Sequence, residues 1–186
     1  MSNFQFSINS SIFKFSNNNY KVVGNIPYYI TSNLIRKILE DWPQPKLIVL
    51  TVQKEVAQRI VAKPPHMNLL ALSVQFYAEP KIISYVSRGS FRPMPKVDSA
   101  IIRLTPHRES RIINYELREK VFKLIKTAFA GKRKQLAGNL TKKFGIMKEE
   151  LLEVFNKLDI KPDARAENLS LNQWLKLAEY LKRSIN

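Results

Sequence analysis

Cysteine is absent from the 186-residue chain, which excludes disulfides and thiolate metal sites. The two histidines, His66 and His107, stand alone in the sequence, so no metal site is expected. Glycine is scarce, at five residues, and none of them opens a Gly-rich turn between a strand pattern and a helix pattern. Nor does any predicted strand end in the acidic residue that would hold a ribose. No apolar run approaches the ~20 residues of a membrane span. Residues 1–11 are uncharged and mostly polar, without the basic and apolar regions of a secretory signal, and the cytoplasm is the expected location. Acidic residues are in deficit, 15 against 31 basic, giving a net charge of +16. That excess points to a polyanionic partner. No helix pattern pairs a wholly basic face with a wholly apolar one, which disfavours an anionic membrane surface.

What is present is ample for a core: 45% of residues are apolar, and the length suits one domain or a domain with a small appendage. Residues 4–8 alternate as a strand would, followed by a polar loop at 16–19 and an apolar run at 20–23. Leu34, Ile35, Ile38 and Leu39 then recur at helical spacing behind Thr31 or Ser32 and end at Asp41-Trp42-Pro43. A buried strand is expected at 47–52. Val56, Ala57, Ile60 and Val61 form a second helix stopped by Pro64-Pro65, with Glu55 and Arg59 as a surface pair. A third helix carries Leu69, Leu70, Val74, Phe76 and Tyr77, capped by Asn68 and closed by Pro80. Strands at 81–87 and 100–105 are joined through a Pro-rich loop at 91–99. The order is half of a doubly wound sheet ending in an antiparallel pair.

Past Pro106 the pattern is purely helical. Leu117, Val121, Leu124, Ile125, Ala128 and Phe129 form one stripe. Leu136, Leu140 and Phe144 form another, with Gly145 as its C-cap. Leu151, Leu152, Val154, Phe155 and Leu158 make a third. Ser170-Leu171-Asn172-Gln173 is a capping box opening a last helix with Trp174, Leu175, Ala178 and Leu181 inward. Two parts follow from this, residues 1–106 and 107–186, with 13 basic and 5 acidic residues in the first and 18 and 10 in the second.

One stretch carries chemistry. Gly24, Asn25 and Pro27 end the run at 20–23 abruptly, which sets Asn25-Ile26-Pro27-Tyr28 at the C-terminal end of a strand, where open α/β sheets place ligands. The exocyclic amine of adenine is a poor nucleophile because its lone pair is delocalised into the ring. Two acceptors aimed at its hydrogens, the Asn25 amide oxygen and a nearby backbone carbonyl, would localise that pair towards an electrophile. Pro27 holds Ile26 extended, and Tyr28 offers a face for an extruded base. An Asx-type turn with a buried Pro and Tyr fits the same local pattern.

Asn25-Ile26-Pro27-Tyr28 resembles motif IV of the S-adenosylmethionine-dependent adenine-N6 methyltransferases. Gln53-Lys54-Glu55-Val56-Ala57-Gln58-Arg59-Ile60 and Phe91-Arg92-Pro93-Met94-Pro95-Lys96-Val97-Asp98-Ser99 look like two further blocks of that family. Residues 129–140 and Asp163-Ala164-Arg165-Ala166-Glu167-Asn168-Leu169-Ser170 resemble the C-terminal signatures of its KsgA-type ribosomal RNA adenine dimethyltransferase branch. The resemblance runs in order from about residue 21 to 181. It implies an α/β fold class, the C-terminal half of a Rossmann-like methyltransferase sheet followed by a small all-α domain that binds rRNA. It also implies that the family's first half, with its Gly-rich turn and ribose-holding acid, belongs upstream of Met1.

The implied activity is transfer of methyl groups from S-adenosyl-L-methionine to two adjacent adenosines near the 3′ end of small-subunit (16S) rRNA. The implied partner is the 30S subunit precursor, met by a protein that is monomeric when complete. Asn25 with the Ile26 or Pro27 carbonyl would orient the amine, and Asn25 is the one cofactor-contacting position that maps onto this chain. Tyr28 and Phe91 would clamp the flipped base, although on its own Phe91 reads as an aromatic plug under the loop. Lys96 suits a phosphate contact or a solvated loop lysine equally, and Asp98-Ser99 reads as a turn into the last strand.

From 120 to 148 there are nine basic residues and no acidic one. Lys132, Arg133 and Lys134 follow Gly131 near a predicted helix start, an arrangement suited to phosphate. Arg165 and Glu167 are expected to lock the last helices together. Two other functions stay open: a non-catalytic small-subunit assembly factor, and an erythromycin-resistance-type large-subunit rRNA methylase. The latter typically lacks the 163–170 signature and favours an amide where this chain has Asp98.

Overall fold

A computed structural model describes residues 20–107, 115–131 and 133–181. The alternating segment expected at residues 4–8 lies outside them. Four strands, β1 (Lys21–Asn25), β2 (Leu47–Gln53), β3 (Ala78–Val86) and β4 (Ser99–Pro106), form one sheet in the order β1-β2-β4-β3. β1 and β2 are parallel, whereas β4 runs antiparallel to both β2 and β3. The crossover from β1 to β2 is made by α1 (Thr31–Glu40); α2 (Lys54–Ile60) and α3 (Leu69–Gln75) lead from β2 to β3.

Ile48, Leu50 and Val52 of β2 and Ala100, Ile102 and Leu104 of β4 are buried on one face of the sheet, against Ile35 and Ile38 of α1 and Val56, Ala57 and Ile60 of α2. The opposite face is less covered: Val23 is 76% exposed and Ile83 51%. β1 is an edge strand of the described sheet.

The strands expected at 81–87 and 100–105 begin earlier, at Ala78 and Ser99, and three further differences from the sequence reading have a tertiary reason. β1 continues through Gly24 and Asn25, which pair with Leu50 and Thr51 instead of turning. α2 ends at Ile60, well before Pro64-Pro65, because side chains from the α3 region take its last carbonyls. Asn68 donates to Arg59 O at 2.9 Å, and Gln75 donates to Ile60 O at 3.0 Å and Ala62 O at 2.8 Å. Pro80 does not close α3, which stops at Gln75; it lies inside β3, an edge strand where a missing N–H is tolerated. The Asn68 cap is as expected, its side chain accepting from Ala71 N at 3.0 Å.

Helices α4 (Tyr115–Ala130), α5 (Leu136–Phe144), α6 (Lys148–Lys157) and α7 (Leu171–Tyr180) surround a second core centred on Leu124, Leu140, Phe155 and Trp174, all fully buried. Ser170 and Gln173 form the capping box that opens α7, and Gly145 ends α5 with φ +67°, a left-handed conformation that glycine adopts without strain. This core reaches back to Met67, Ala71, Leu72, Phe76 and Tyr77. At that junction burial pushes the Tyr77 hydroxyl up to about 12, with Glu40 of α1 adding to the effect.

Of the two residues expected to lock the last helices together, Arg165 bonds only within its own turn, its N–H donating to Asn168 Oδ1 at 2.7 Å, and the segment is tied to its surroundings by backbone. Glu167 O accepts from Met67 N at 2.9 Å, and neighbouring Ala164 O accepts from Leu136 N at 2.8 Å. Among the described residues the ion pairs are Arg36–Glu40 and Glu116–Lys120; Glu55 and Arg59 form none.

Candidate active site and nucleic-acid interface

Gly24 lets β1 run close under Ile26: a Cβ there would stand 3.0 Å from Ile26 Cδ1. Asn25, the last β1 residue, is exposed at the C-terminal edge of the sheet. Ile26 N still donates to Thr51 O at 3.3 Å, so the chain leaves the sheet one residue later. Pro27 then caps a single 3-10 turn, Tyr28–Ile30, that runs directly into α1.

That turn separates the two carbonyls that sequence left equivalent. Pro27 O accepts from Ile30 N at 3.1 Å and from the buried Thr31 hydroxyl at 3.4 Å. Its lone pairs are committed to the turn. No hydrogen bond engages the Ile26 carbonyl or the Asn25 side chain among the described residues. The free acceptor pair is therefore Asn25 Oδ1 and Ile26 O.

Tyr28 is held from the opposite side. Its hydroxyl and Ser99 Oγ are 2.9 Å apart, and Ser99 is fully buried as the first residue of β4. The bond ties the motif IV turn to the end of the Pro-rich loop, although 71 residues separate the two. The Ser99 hydroxyl is thereby accounted for, and Asp98 is too: its Oδ1 accepts from Arg88 N at 3.1 Å and its carbonyl from Lys54 N at 3.0 Å. Asp98-Ser99 is a turn into β4, as its sequence suggested.

The loop borders, at this end of the sheet, an open cavity of about 330 Å³ lined by Asn25, Ile26, Pro27, Tyr28, Phe91, Arg92, Pro93 and Pro95. A purine occupies well under half of such a volume. Phe91 is half-buried and lines this cavity, so it is not sealed beneath the loop. Lys96 faces elsewhere, into a second groove with Lys54, Glu55, Gln58, Arg88, Val97 and Asp98. The structure thus brings five of the sequence-selected residues, Asn25 to Tyr28 and Phe91, to one cavity. Sequence reading missed Thr31 and Ser99 as the groups that fix the turn, since neither carries a signal until the fold sets it beside its partner.

The basic run lies in the helical part. Lys132 falls outside the described residues; Arg133 and Lys134 are exposed in the short connection from α4 to α5. The connection is fixed by Asn139 of α5, which donates to Ala128 O at 3.3 Å and Gly131 O at 3.0 Å. A Cβ on Gly131 would fall 2.6 Å from Asn139 Oδ1, so a larger residue there would have to displace that side chain. Because Leu136 N is already bound by Ala164 O, the first amide of α5 is not available to an anion, and the exposed cations are.

Most of the chain matches known proteins. It fits the family described as ribosomal RNA adenine dimethylase over residues 3–183. The ribosomal RNA small subunit methyltransferase A of Dehalococcoides mccartyi strain 195 is 42% identical over 155 residues, covering 83% of this chain and 53% of that protein. The protein of the same name from Rippkaea orientalis is 46% identical over 170 residues, 87% of this chain and 61% of the relative. A crystal structure of a dimethyladenosine transferase from Plasmodium falciparum superposes with a TM-score of 0.74 at 29% identity, over 89% of this chain and 67% of that one. The 23S rRNA methyltransferase ErmE gives 0.72 at 26% identity, over 88% and 66%. The chain spans about half to three-fifths of the length of these sequence relatives. With its match over residues 3–183 and a fold shared with solved rRNA methyltransferases, the chain belongs to the ribosomal RNA adenine dimethylase family.

Proposed function

We propose that this chain supplies the base-holding half of an rRNA adenine N6,N6-dimethyltransferase that modifies two adjacent adenosines near the 3′ end of small-subunit rRNA. The observation that supports this reading most directly is the cavity where Asn25, Ile26, Tyr28 and Phe91 converge. An adenine extruded into it stacks between Tyr28 and Phe91. Its exocyclic amine donates to Asn25 Oδ1 and Ile26 O, which draws the amine towards the geometry of a nucleophile. Neutral acceptors suffice, since the amine loses a proton only as the new C–N bond forms. Positioning provides most of the rate in such a site.

S-adenosyl-L-methionine, when bound, supplies an already activated sulfonium methyl group. The residues present fit the methyl-receiving side of that chemistry. They fit the nucleoside-holding side poorly: none of the four described strands ends in an acid, and no Gly-rich strand-to-helix turn occurs among the described residues. The same observation favours a second reading, a non-catalytic small-subunit assembly factor that keeps the RNA-binding parts alone.

The test uses the chain and a cofactor-competent form of it with S-adenosylmethionine and unmethylated ribosomal subunits, followed by nucleoside mass spectrometry. Dimethyladenosine in small-subunit rRNA is expected from the cofactor-competent form. Product in large-subunit rRNA would instead place the protein with the erythromycin-resistance type. Methylation of neither rRNA would leave the assembly-factor reading.

The exposed cations are assigned to the rRNA backbone. Replacing Lys132, Arg133 and Lys134 with Gln is expected to weaken rRNA binding and flatten its salt dependence, the slope falling by roughly 0.7–0.9 for each phosphate no longer neutralised. Filter binding across a salt series reads this; an unchanged slope assigns the cluster to a solvated face.

A further inference from the structure

A second feature of the same sheet edge is not used by the adenine cavity. Lys54, Arg88 and Lys96 line a groove of about 470 Å³ on the far side of the Pro-rich loop, together with Glu55, Gln58, Val97 and Asp98. Consecutive loop residues face opposite ways, Pro95 into the adenine cavity and Lys96 into this groove. None of the three cations is ion-paired among the described residues, although two carboxylates share the groove. Asp98 Oδ1 is occupied by Arg88 N, and Arg88 Nη1 reaches Lys96 O at 3.5 Å. Glu55 is exposed.

Tyr85 stands beside this groove for a structural reason. In a regular strand Ile82 and Ser84 would share a face, and Tyr85 would point the other way. The register of β3 slips between Ile82 and Ser84, so that Ile82 pairs with Ile102 and Tyr85 with Ala100. Both partners face α2. The bulge therefore turns Tyr85 onto the α2 side, where Lys54 Nζ lies 5.3 Å from its ring centroid. The ring is 55% exposed. An aromatic more than half exposed at a sheet edge, with Lys54 over one face and cations without carboxylate partners beside it, is suited to bind a single-stranded nucleic acid by stacking and backbone charge.

We propose that the Lys54–Arg88–Lys96 groove and the Tyr85 ring form a subsite for the nucleotide flanking the target adenine, the cations holding its phosphate and Tyr85 stacking its base. This rests on the adenine cavity's being an RNA site. The loop then acts as a divider between the extruded adenine and the neighbour that stays in the strand.

The experiment uses the 186-residue chain and a single-stranded oligoribonucleotide with two adjacent adenosines. 5-Iodouridine is placed next to them in one probe and several nucleotides away in another. Ultraviolet crosslinking followed by peptide mass spectrometry is expected to join the adjacent iodouridine, and not the distant one, to Tyr85. Tyr85→Leu should abolish that crosslink and lower affinity roughly tenfold, about 1.4 kcal/mol and within the range for one stacked base, while Tyr85→Phe retains both. Lys54→Gln, Arg88→Gln and Lys96→Gln combined should reduce the salt slope by about 0.7 for each phosphate set free. RNA binding that is intact but unaffected by these changes, or crosslinking to other residues, overturns the subsite and leaves the adenine cavity standing. Absence of any RNA binding by the unaltered chain overturns both.

Discussion

Tyr28→Ala or Phe91→Ala is expected to lower adenine methylation by about 10²-fold or more, while rRNA affinity falls far less. The two effects separate because they draw on different contacts. A clamp that loses one ring no longer holds the amine against Asn25 Oδ1 and Ile26 O, and misplacement of about 1 Å costs on the order of 10² in rate. Affinity for a long RNA is carried mainly by phosphate contacts, of which one stacked base, worth about 1–3 kcal/mol, is a minor part. The measurement is kcat/KM for methyl transfer beside equilibrium binding, in a form of the protein that binds the cofactor. Tyr28→Phe isolates the ring from its hydroxyl. It keeps the stacking face but strands the buried Ser99 Oγ, so thermal stability should drop by about 1–3 kcal/mol with turnover largely kept. Equal losses of binding and turnover in the alanine variants would make the rings structural.

Calorimetric titration of the 186-residue chain with S-adenosylmethionine is expected to give little or no binding heat at micromolar concentrations. Asn25 is the one position expected to contact the cofactor, and the Ile26 carbonyl addresses the methyl-receiving side. A Gly-rich turn gives a nucleoside close backbone approach, and an acid at a strand end holds ribose hydroxyls; neither occurs among the described residues. One exposed amide cannot replace them. Micromolar affinity would show that the chain carries a cofactor pocket of another design, and it would favour the methyltransferase reading over the assembly-factor one.

Sequence by itself determined the element order, the α/β-then-α character and the stretches that meet at the candidate site. Those properties are local or periodic. Apolar spacing marks α1 and α4 to α7; Asn68, Gly145 and Ser170 act on their own helix ends; the blocks at residues 25–28 and 91–99 are contiguous strings. The limits of β1, α2 and α3 were not legible, because each is set by a partner distant in sequence. Pairing with Leu50 and Thr51 extends β1, and the amides of Asn68 and Gln75 end α2. The choice between the Ile26 and Pro27 carbonyls needed the 3-10 turn, whose Ile30 N–H and Thr31 hydroxyl consume one and spare the other. Whether Phe91 lies sealed under the loop or at a cavity beside Asn25 and Tyr28 depended on the fold of the loop, which sets it at the cavity. Tyr85 had no signal at all, since the bulge that turns it towards Lys54 arises from how β3 meets β4. A hydrogen bond or a face of a sheet belongs to two segments at once, and only the folded chain brings the second segment into place.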